Sequence, residues 1–439
     1  MAATRDLFNP QARKPFAPVP YFWSVPPRPH PVKKGIPMSE TLPERRSIPV
    51  QRAKGCPFDP PPELSEFREK EPVCPVTMPD GTDGWLLTRY DDIYATLRNH
   101  ETFSSRGELR TSAIGTMLSA RRPAGPGNMN PMDPPDHTRL RRKLQGKFTT
   151  KRVARLADAI TRIVDERLDE MERMGPPVDL VEAYGLPIPS LVICELLGVP
   201  YGDHAEFQSR TASLMKMGST AEEYAAASQG IMDFVRELAR HKRAHPTDDI
   251  LSELAQDEEL SLEETTALGM SLLVAGHETT ANMIALSTFA LLQHPDQLAL
   301  LREDPAGRIN NAVEELLRYL TIPQYGQERA ALEDVEVRGR RIKKGDVVVP
   351  ALFAANRDPE RFEDPETLDI GRRSATAHLA FSFGVHQCVG QQLARVELRI
   401  AIPALLERFP TLRLGAPADE IEMRTDSMVY SVTALPVAW

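Results

Sequence analysis

Leu379-Ala-Phe-Ser-Phe-Gly-Val-His-Gln-Cys-Val-Gly-Gln-Gln-Leu-Ala-Arg395 is the stretch on which the reading of this chain turns. It sets Cys388 between a turn carrying Gly384 and Gly390 and the first turn of a helix rich in Leu, Ala, Arg and Glu. A thiolate there faces unpaired backbone N–H groups and the positive end of a helix dipole, so its charge is stabilised and its pKa falls. A lone cysteine reads more readily as a core residue, one of the most often buried types. The surrounding residues turn the balance toward an anionic sulfur ligand.

Phe381, Gly384, Cys388 and Gly390 fit the F-x-x-G-x-x-x-C-x-G loop of the cytochrome P450 family, and the chain resembles a soluble bacterial member of it. The resemblance implies that Cys388 is the axial ligand of a b-type haem iron and that His386 meets a haem propionate. Many relatives carry Gly where Ser382 stands and Leu where Val389 stands.

With 439 residues and 41% hydrophobic content the chain is long enough for one large core or for two or three average domains. A net charge of -9 argues against a protein that coats nucleic acid. Cysteines 56, 74, 194 and 388 show no C-x-x-C spacing and no disulfide-dense pattern, which suits a reducing cytoplasm. No apolar run approaches the 18 or so residues that span a bilayer. Fifteen of the 39 prolines fall in the first 62 residues, so residues 1–54 read as an extended arm, with a Tyr21-Phe22-Trp23 cluster, before a globular region at 55–439.

Beyond Pro61 a short helix to Lys70, a hairpin around Asp80-Gly81 and a helix from Asp91 to Asn99 are expected. Residues 104–131 then lack periodicity and read as a long, functional loop. Asp133-Pro-Pro-Asp-His-Thr-Arg-Leu-Arg-Arg-Lys143 opens the next helix with prolines and acids at its N-terminus. Amphipathic segments follow at about 152–174, 186–197, 202–217, 221–244 and 246–256. Ser261 and Glu264 form a capping box that launches a run to about Leu292, apolar on nearly every face, which must be buried.

Three further patterns carry chemistry. His137 and Arg141, four apart, read on spacing alone as a solvated surface pair; the family's H-x-x-x-R motif implies instead that both donate to a haem propionate. Ala275-Gly276-His277-Glu278-Thr279-Thr280 puts a glycine, a charge and hydroxyls in a buried helix, where each is costly unless it eases a helix crossing or finds a partner. It matches the family's A-G-x-E-T segment, which implies a local widening for dioxygen, Ala275 and Gly276 against the haem, Thr279 as the distal alcohol and Glu278 as the acid beside it. A zinc-protease reading of His277-Glu278 fails, because it needs a second histidine at Ala281. Glu315 and Arg318 read alone as a surface ion pair; they match E-x-x-R, which implies a buried structural set completed by Arg372. Arg329 aligns with another propionate-contacting arginine.

The implied fold is mainly α, a triangular helical prism with a small β-rich region. The implied activity is insertion of one oxygen atom from O2 into a hydrophobic natural product, with thiolate donation favouring O–O cleavage. Ferredoxin and an NAD(P)H-driven ferredoxin reductase are the implied partners, docking where Arg139, Arg142, Lys143 and Lys147 thicken the positive charge. A peroxygenase and a silent haem-binding recruitment module stand as the alternatives; both usually show a lost acid–alcohol pair or a lost cysteine. Expected pocket residues are Met117, Leu214, Met217, Ala275, Ile322, Gln324, Tyr325, Met428 and Val429, with core packing an equal reading for Leu214 and Met217.

Overall fold

The computed structural model describes residues 45–52, 56–113, 121–199 and 220–439, together with Leu214. The arm through residue 44, Met117, Met217 and, apart from Leu214, the expected 202–217 helix lie outside the described residues. The compact unit begins at Arg45. The reason is pairing: β1 (Arg46–Ser47) adds in parallel to β2 (Val73–Thr77), and Ile48 is buried behind it.

α1 (Glu63–Lys70) precedes β2, which forms the expected hairpin with β3 (Asp83–Leu87). Its turn has Gly81 at φ +81, a conformation glycine adopts freely, and Thr82 donates to Asp80 Oδ1 from both its N–H and its hydroxyl. α2 (Tyr90–Arg98) and β4 (Phe103–Ser104) lead into the long loop. That loop is pinned at its root by Asp133, which accepts from Ser104 Oγ at 2.5 Å and Ser105 N at 2.7 Å.

α3 (Asp136–Gln145) has an acid in its first turn and buries His137, Leu140 and Leu144, one face of a 3.6-residue repeat. α4 (Thr150–Arg155), α5 (Ala157–Met174), β5 (Val178–Asp179), α6 (Pro187–Leu197), α7 (Ala221–Ala244) and α8 (Ile250–Ala255) follow. α9 (Leu262–Gln293) is the spine, 32 residues and hence about 48 Å long. Its capping box is present as expected: Ser261 Oγ accepts from Glu264 N, and Glu264 accepts from Ser261 N. Being apolar nearly all round, it packs against α6, α7 and α13 (Gln391–Arg408) at once.

α10 (Pro295–Glu303) and α11 (Pro305–Leu320) precede a small β region. β6 (Arg329–Ala331) and β9 (Val347–Pro350) extend the first sheet to the order β1-β2-β3-β9-β6-β4, while β7 (Val335–Val337) and β8 (Arg340–Ile342) form a separate hairpin. After α12 (Leu352–Ala355) and α13, β10 (Arg413–Leu414) joins β13 (Pro436–Ala438) and β5, and β11 (Met423–Arg424) pairs with β12 (Ser431–Val432). The fold is therefore mainly α with a minor β region, as expected.

Glu315 and Arg318 on α11 are fully buried, not a surface pair. Arg318 donates from Nε and Nη2 to the two carboxylate oxygens of Glu315, each at 2.8 Å, and Arg372 Nε approaches the same oxygens at 3.0 and 3.1 Å. The remaining guanidinium donors reach the carbonyls of Asn356, Glu363, Asp364, Pro365 and Thr367, so one carboxylate ties α11 to the chain between residues 356 and 372. Removing only the anion leaves two cations without a counter-charge, a loss of about 3–5 kcal/mol. Glu315→Gln is accordingly expected to lower the urea midpoint of the cofactor-free protein sharply; an unchanged midpoint would show that the set is not what locks this region.

Candidate active site

The Cys388 loop is built by close approaches. Cys388 N donates to Phe381 O at 3.0 Å, closing the loop on itself. Gly384 has φ +75, and a Cβ there would lie 2.2 Å from Leu97 O, so the loop seats on the end of α2 only with glycine at 384. Ser382 holds φ +60, a region that costs a non-glycine residue about 1–2 kcal/mol. That is the physical reason a glycine suits this position; the serine is retained by a hydrogen bond from Oγ to Gln327 Oε1 at 2.9 Å. A Cβ at Gly390 would meet no protein atom.

Cys388 faces a cavity between its loop and α9. Phe381, His386 and Val389 line the loop side, Ala275, Thr279 and Met283 the α9 side, and Ile322 closes one end. Burial pushes the Cys388 thiol up, against the N–H groups of Gly390 and Gln391 and the charges of Arg141 and Arg395.

Beside the sulfur lie buried nitrogen donors with no carboxylate partner among the described residues. His137 is buried, and its ring lies 4.2 Å from that of His386. Among the described residues neither ring nitrogen of His137 has a partner, nor do His386 Nε2 and Arg141 Nε. Burial, followed by the Arg141 charge, pulls His137 down to about 4; burial, followed by Arg329 and His137, pulls His386 down to about 2. Arg141 Nη2 donates to Gln387 O at 2.5 Å, which ties α3 to the cysteine loop. Arg329 is buried, and its Nη1 donates to Gln327 O and Glu328 O, both at 2.9 Å. Buried donors without acceptors next to a sulfur fit a flat cofactor carrying carboxylates.

On the opposite wall α9 runs as an α-helix through residues 275–280. Thr279 lines the cavity and its Oγ1 donates to Ala275 O at 2.8 Å. Glu278, one residue and about 100° away, does not line it. Its buried carboxylate instead accepts from Arg424 Nη2 of β11 at 2.9 Å, and that arginine is partly exposed. Gly276 does not line the cavity either: a Cβ there would lie 2.9 Å from Ile193 Cδ1, so this glycine serves the crossing with α6.

Most expected pocket residues lie elsewhere. Of those described, Ala275 and Ile322 line the cavity. Leu214 and Val429 belong to the main core, and Met428 packs against a second one. The Gln324 side-chain amide donates to Thr425 O and Ser427 O, and Tyr325 OH donates to Pro49 O, so both brace the C-terminal turn and the N-terminal edge. Sequence reasoning missed Arg424, and also Glu328, whose buried carboxylate takes Arg110 Nη1 at 3.2 Å and Ala113 N at 2.9 Å to anchor the long loop. Neither has a local signal, since each partner is distant in sequence.

The Cytochrome P450 family profile matches residues 207–431. Cytochrome P450-SU2 of Streptomyces griseolus is 47% identical over 401 residues, 90% of this chain and 98% of that protein. The crystal structure of CYP105P1 in complex with filipin I superposes with a TM-score of 0.85 at 42% identity, covering 90% of this chain and 99% of that one. The mycinamicin VIII C21 methyl hydroxylase MycCI from Micromonospora griseorubida, bound to mycinamicin VIII, gives 0.82 at 34%, over 89% and 99%.

The chain belongs to the cytochrome P450 family. Members of that family are monooxygenases that bind haem b through a cysteine thiolate. The donor set around Cys388 fits this cytochrome P450 cofactor, and no helix among the described residues is long and apolar enough to cross a membrane.

His137 and His386 stay neutral in the folded cofactor-free protein where unfolded imidazoles, near 6.5, take up protons. A base whose pKa is lowered by folding loses stability as pH falls below its unfolded value, by up to about 2 kcal/mol per histidine at pH 5. The melting temperature of the cofactor-free protein is expected to drop between pH 7 and pH 5, and less so in His137→Phe; a flat profile would contradict the buried neutral state.

Proposed function

We propose that Cys388 is the axial haem ligand of a monooxygenase that oxidises a medium-to-large hydrophobic natural product with electrons from a ferredoxin. The observation that carries this reading is the convergence on one cavity of the Cys388 sulfur, buried imidazole and guanidinium donors without acceptors, and the Thr279 face of α9. His137, Arg141, Arg329 and His386 would hold the haem carboxylates, and Phe381, Gly384 and Gly390 shape the loop around the sulfur. The mainly apolar wall suits a hydrophobic substrate, and solved relatives at 42% and 34% identity carry filipin I and mycinamicin VIII. This extension to substrate is analogy within the family.

Haem, when bound, supplies the dioxygen and one-electron chemistry. The chain supplies placement and protons. Thr279 commits its own proton to Ala275 O, so the hydroxyl oxygen meets the cavity as an acceptor. To pass a proton on, the hydroxyl must turn its own O–H from Ala275 O toward the cavity as Oγ1 accepts a proton from water on the other side. Glu278 is the nearest acid in sequence, and its carboxylate opens toward solvent at Arg424, not toward the cavity. Water must therefore bridge Glu278 and Thr279, and such relays contribute ~10²–10⁴ in rate.

Reduction of the haem-loaded protein under carbon monoxide is expected to give the strongly red-shifted Soret band of a thiolate-bound iron, lost in Cys388→Ser; a variant that keeps the band removes Cys388 as ligand. With NADPH, ferredoxin and reductase, Thr279→Ala is expected to keep haem and substrate binding while product per NADPH falls and hydrogen peroxide rises. Turnover by peroxide alone, indifferent to ferredoxin, would favour a peroxygenase. A low-to-high spin shift confined to fatty acids or small monoterpenes in a ligand screen would overturn the substrate class.

A further inference from the structure

The outer face of α3 carries Arg139, Arg142 and Lys143, with Lys147 one turn on, and α3 is tied to the Cys388 loop through Arg141. An electron donor that approaches the sulfur side meets this face. The chain as a whole carries -9, so an acidic donor is held off at long range and needs local cations within a Debye length of roughly 8–10 Å.

Those cations are already engaged. Arg139 pairs with Glu264, Lys143 Nζ lies 2.8 Å from Asp257 and 2.5 Å from Glu259, and Lys147 and Arg152 share Glu253. Arg142 is exposed and, unlike the other four, makes no ion pair among the described residues, so five cations face four acids and the patch is nearly neutral.

All four acids come from residues 253–264, the end of α8, the following turn and the cap of α9. Glu264 is held by its capping bond with Ser261, and the turn is closed by Leu260 N to Asp257 O at 3.1 Å and Glu259 N to Asp257 Oδ1 at 3.0 Å. The Glu259 side chain is largely exposed and, among the described residues, pairs with Lys143. Exposed pairs of this kind contribute little and exchange readily. They hold the cations in place without locking them away.

We propose that the acidic turn between α8 and α9 is a built-in competitor for the α3 cations, so that an acidic ferredoxin docks by displacing Asp257 and Glu259 from Lys143 and by taking Arg142 directly. The proposal rests on the ferredoxin reading above. It implies weaker docking, with a shallower salt dependence, than four free cations would give.

The test is titration of the haem-loaded protein with an acidic ferredoxin at low and moderate ionic strength. Asp257→Asn with Glu259→Gln is expected to tighten binding about two- to fivefold at low salt, the range set by exposed pairs, and adding Lys143→Met should abolish that gain. Arg142→Glu should weaken binding in every background. If Arg142→Glu changes nothing, ferredoxin docks elsewhere and the docking reading itself falls. If Arg142→Glu weakens binding but the neutralised turn brings no gain, the competitor alone is overturned. A gain that survives Lys143→Met would likewise overturn it, since general charge reduction then suffices.

Discussion

Two consecutive carboxylates on α11, Glu314 and Glu315, are the constraint on which the site depends. Successive helix residues point about 100° apart, so the two acids serve different neighbours. Glu315 gathers Arg318 and Arg372 and ties down the chain between residues 356 and 372. Glu314 accepts two bonds from Arg395 of α13, at 2.7 and 2.9 Å, and one from His378 Nε2 at 3.2 Å. Burial alone would raise the Glu314 carboxyl; the hydrogen bonds from His378 and Arg395 win and hold it at about 2. His378 Nδ1 accepts from Ala380 N, which puts the ring proton on Nε2. Arg395 then lies 4.5 Å above the Phe381 ring, so a charge on α11 reaches the cysteine loop through one guanidinium. Such buried sets add little net stability over an apolar core, but they break at high cost, which makes the placement of the loop close to all-or-none.

The same accounting is left open on the other side of the sulfur. There the protein assembles His137, His386, Arg141 and Arg329 with backbone acceptors for two of them and no carboxylate among the described contacts. Buried donors without partners cost free energy, and the cost falls when an anionic group enters. The geometry on this side depends on Gly384, whose missing side chain lets the loop touch α2.

On the distal wall, helical geometry separates an acid and an alcohol that are neighbours in sequence. Thr279 turns to the cavity and Glu278 to Arg424, whose strand pairs with β12 packed along α9. The Glu278 carboxylate therefore sits beside the C-terminal hairpin, and that hairpin is itself held by Gln324.

What the sequence by itself determined is whatever is local or periodic. The capping box of α9 and the all-round apolar run behind it each lie within one element and were legible because helix rules act over a few residues, whereas the role of the Cys388 loop and the burial of the E-x-x-R pair followed from the family resemblance. Even Arg372 followed from motif order. What only the tertiary structure decided is which distant groups share a dielectric. Glu278 finds Arg424 across 146 residues, Arg110 finds Glu328 across 218, and Lys143 finds Asp257 across 114. The expected basic face is nearly cancelled, Gly276 serves a crossing, and Gln324 and Tyr325 brace other segments, since the direction of a side chain depends on the helix phase and on neighbours no local pattern names. Cys388 shows the same division: its position was readable from the loop, but the approach of Arg141 and Arg395 to its sulfur is a property of the whole fold.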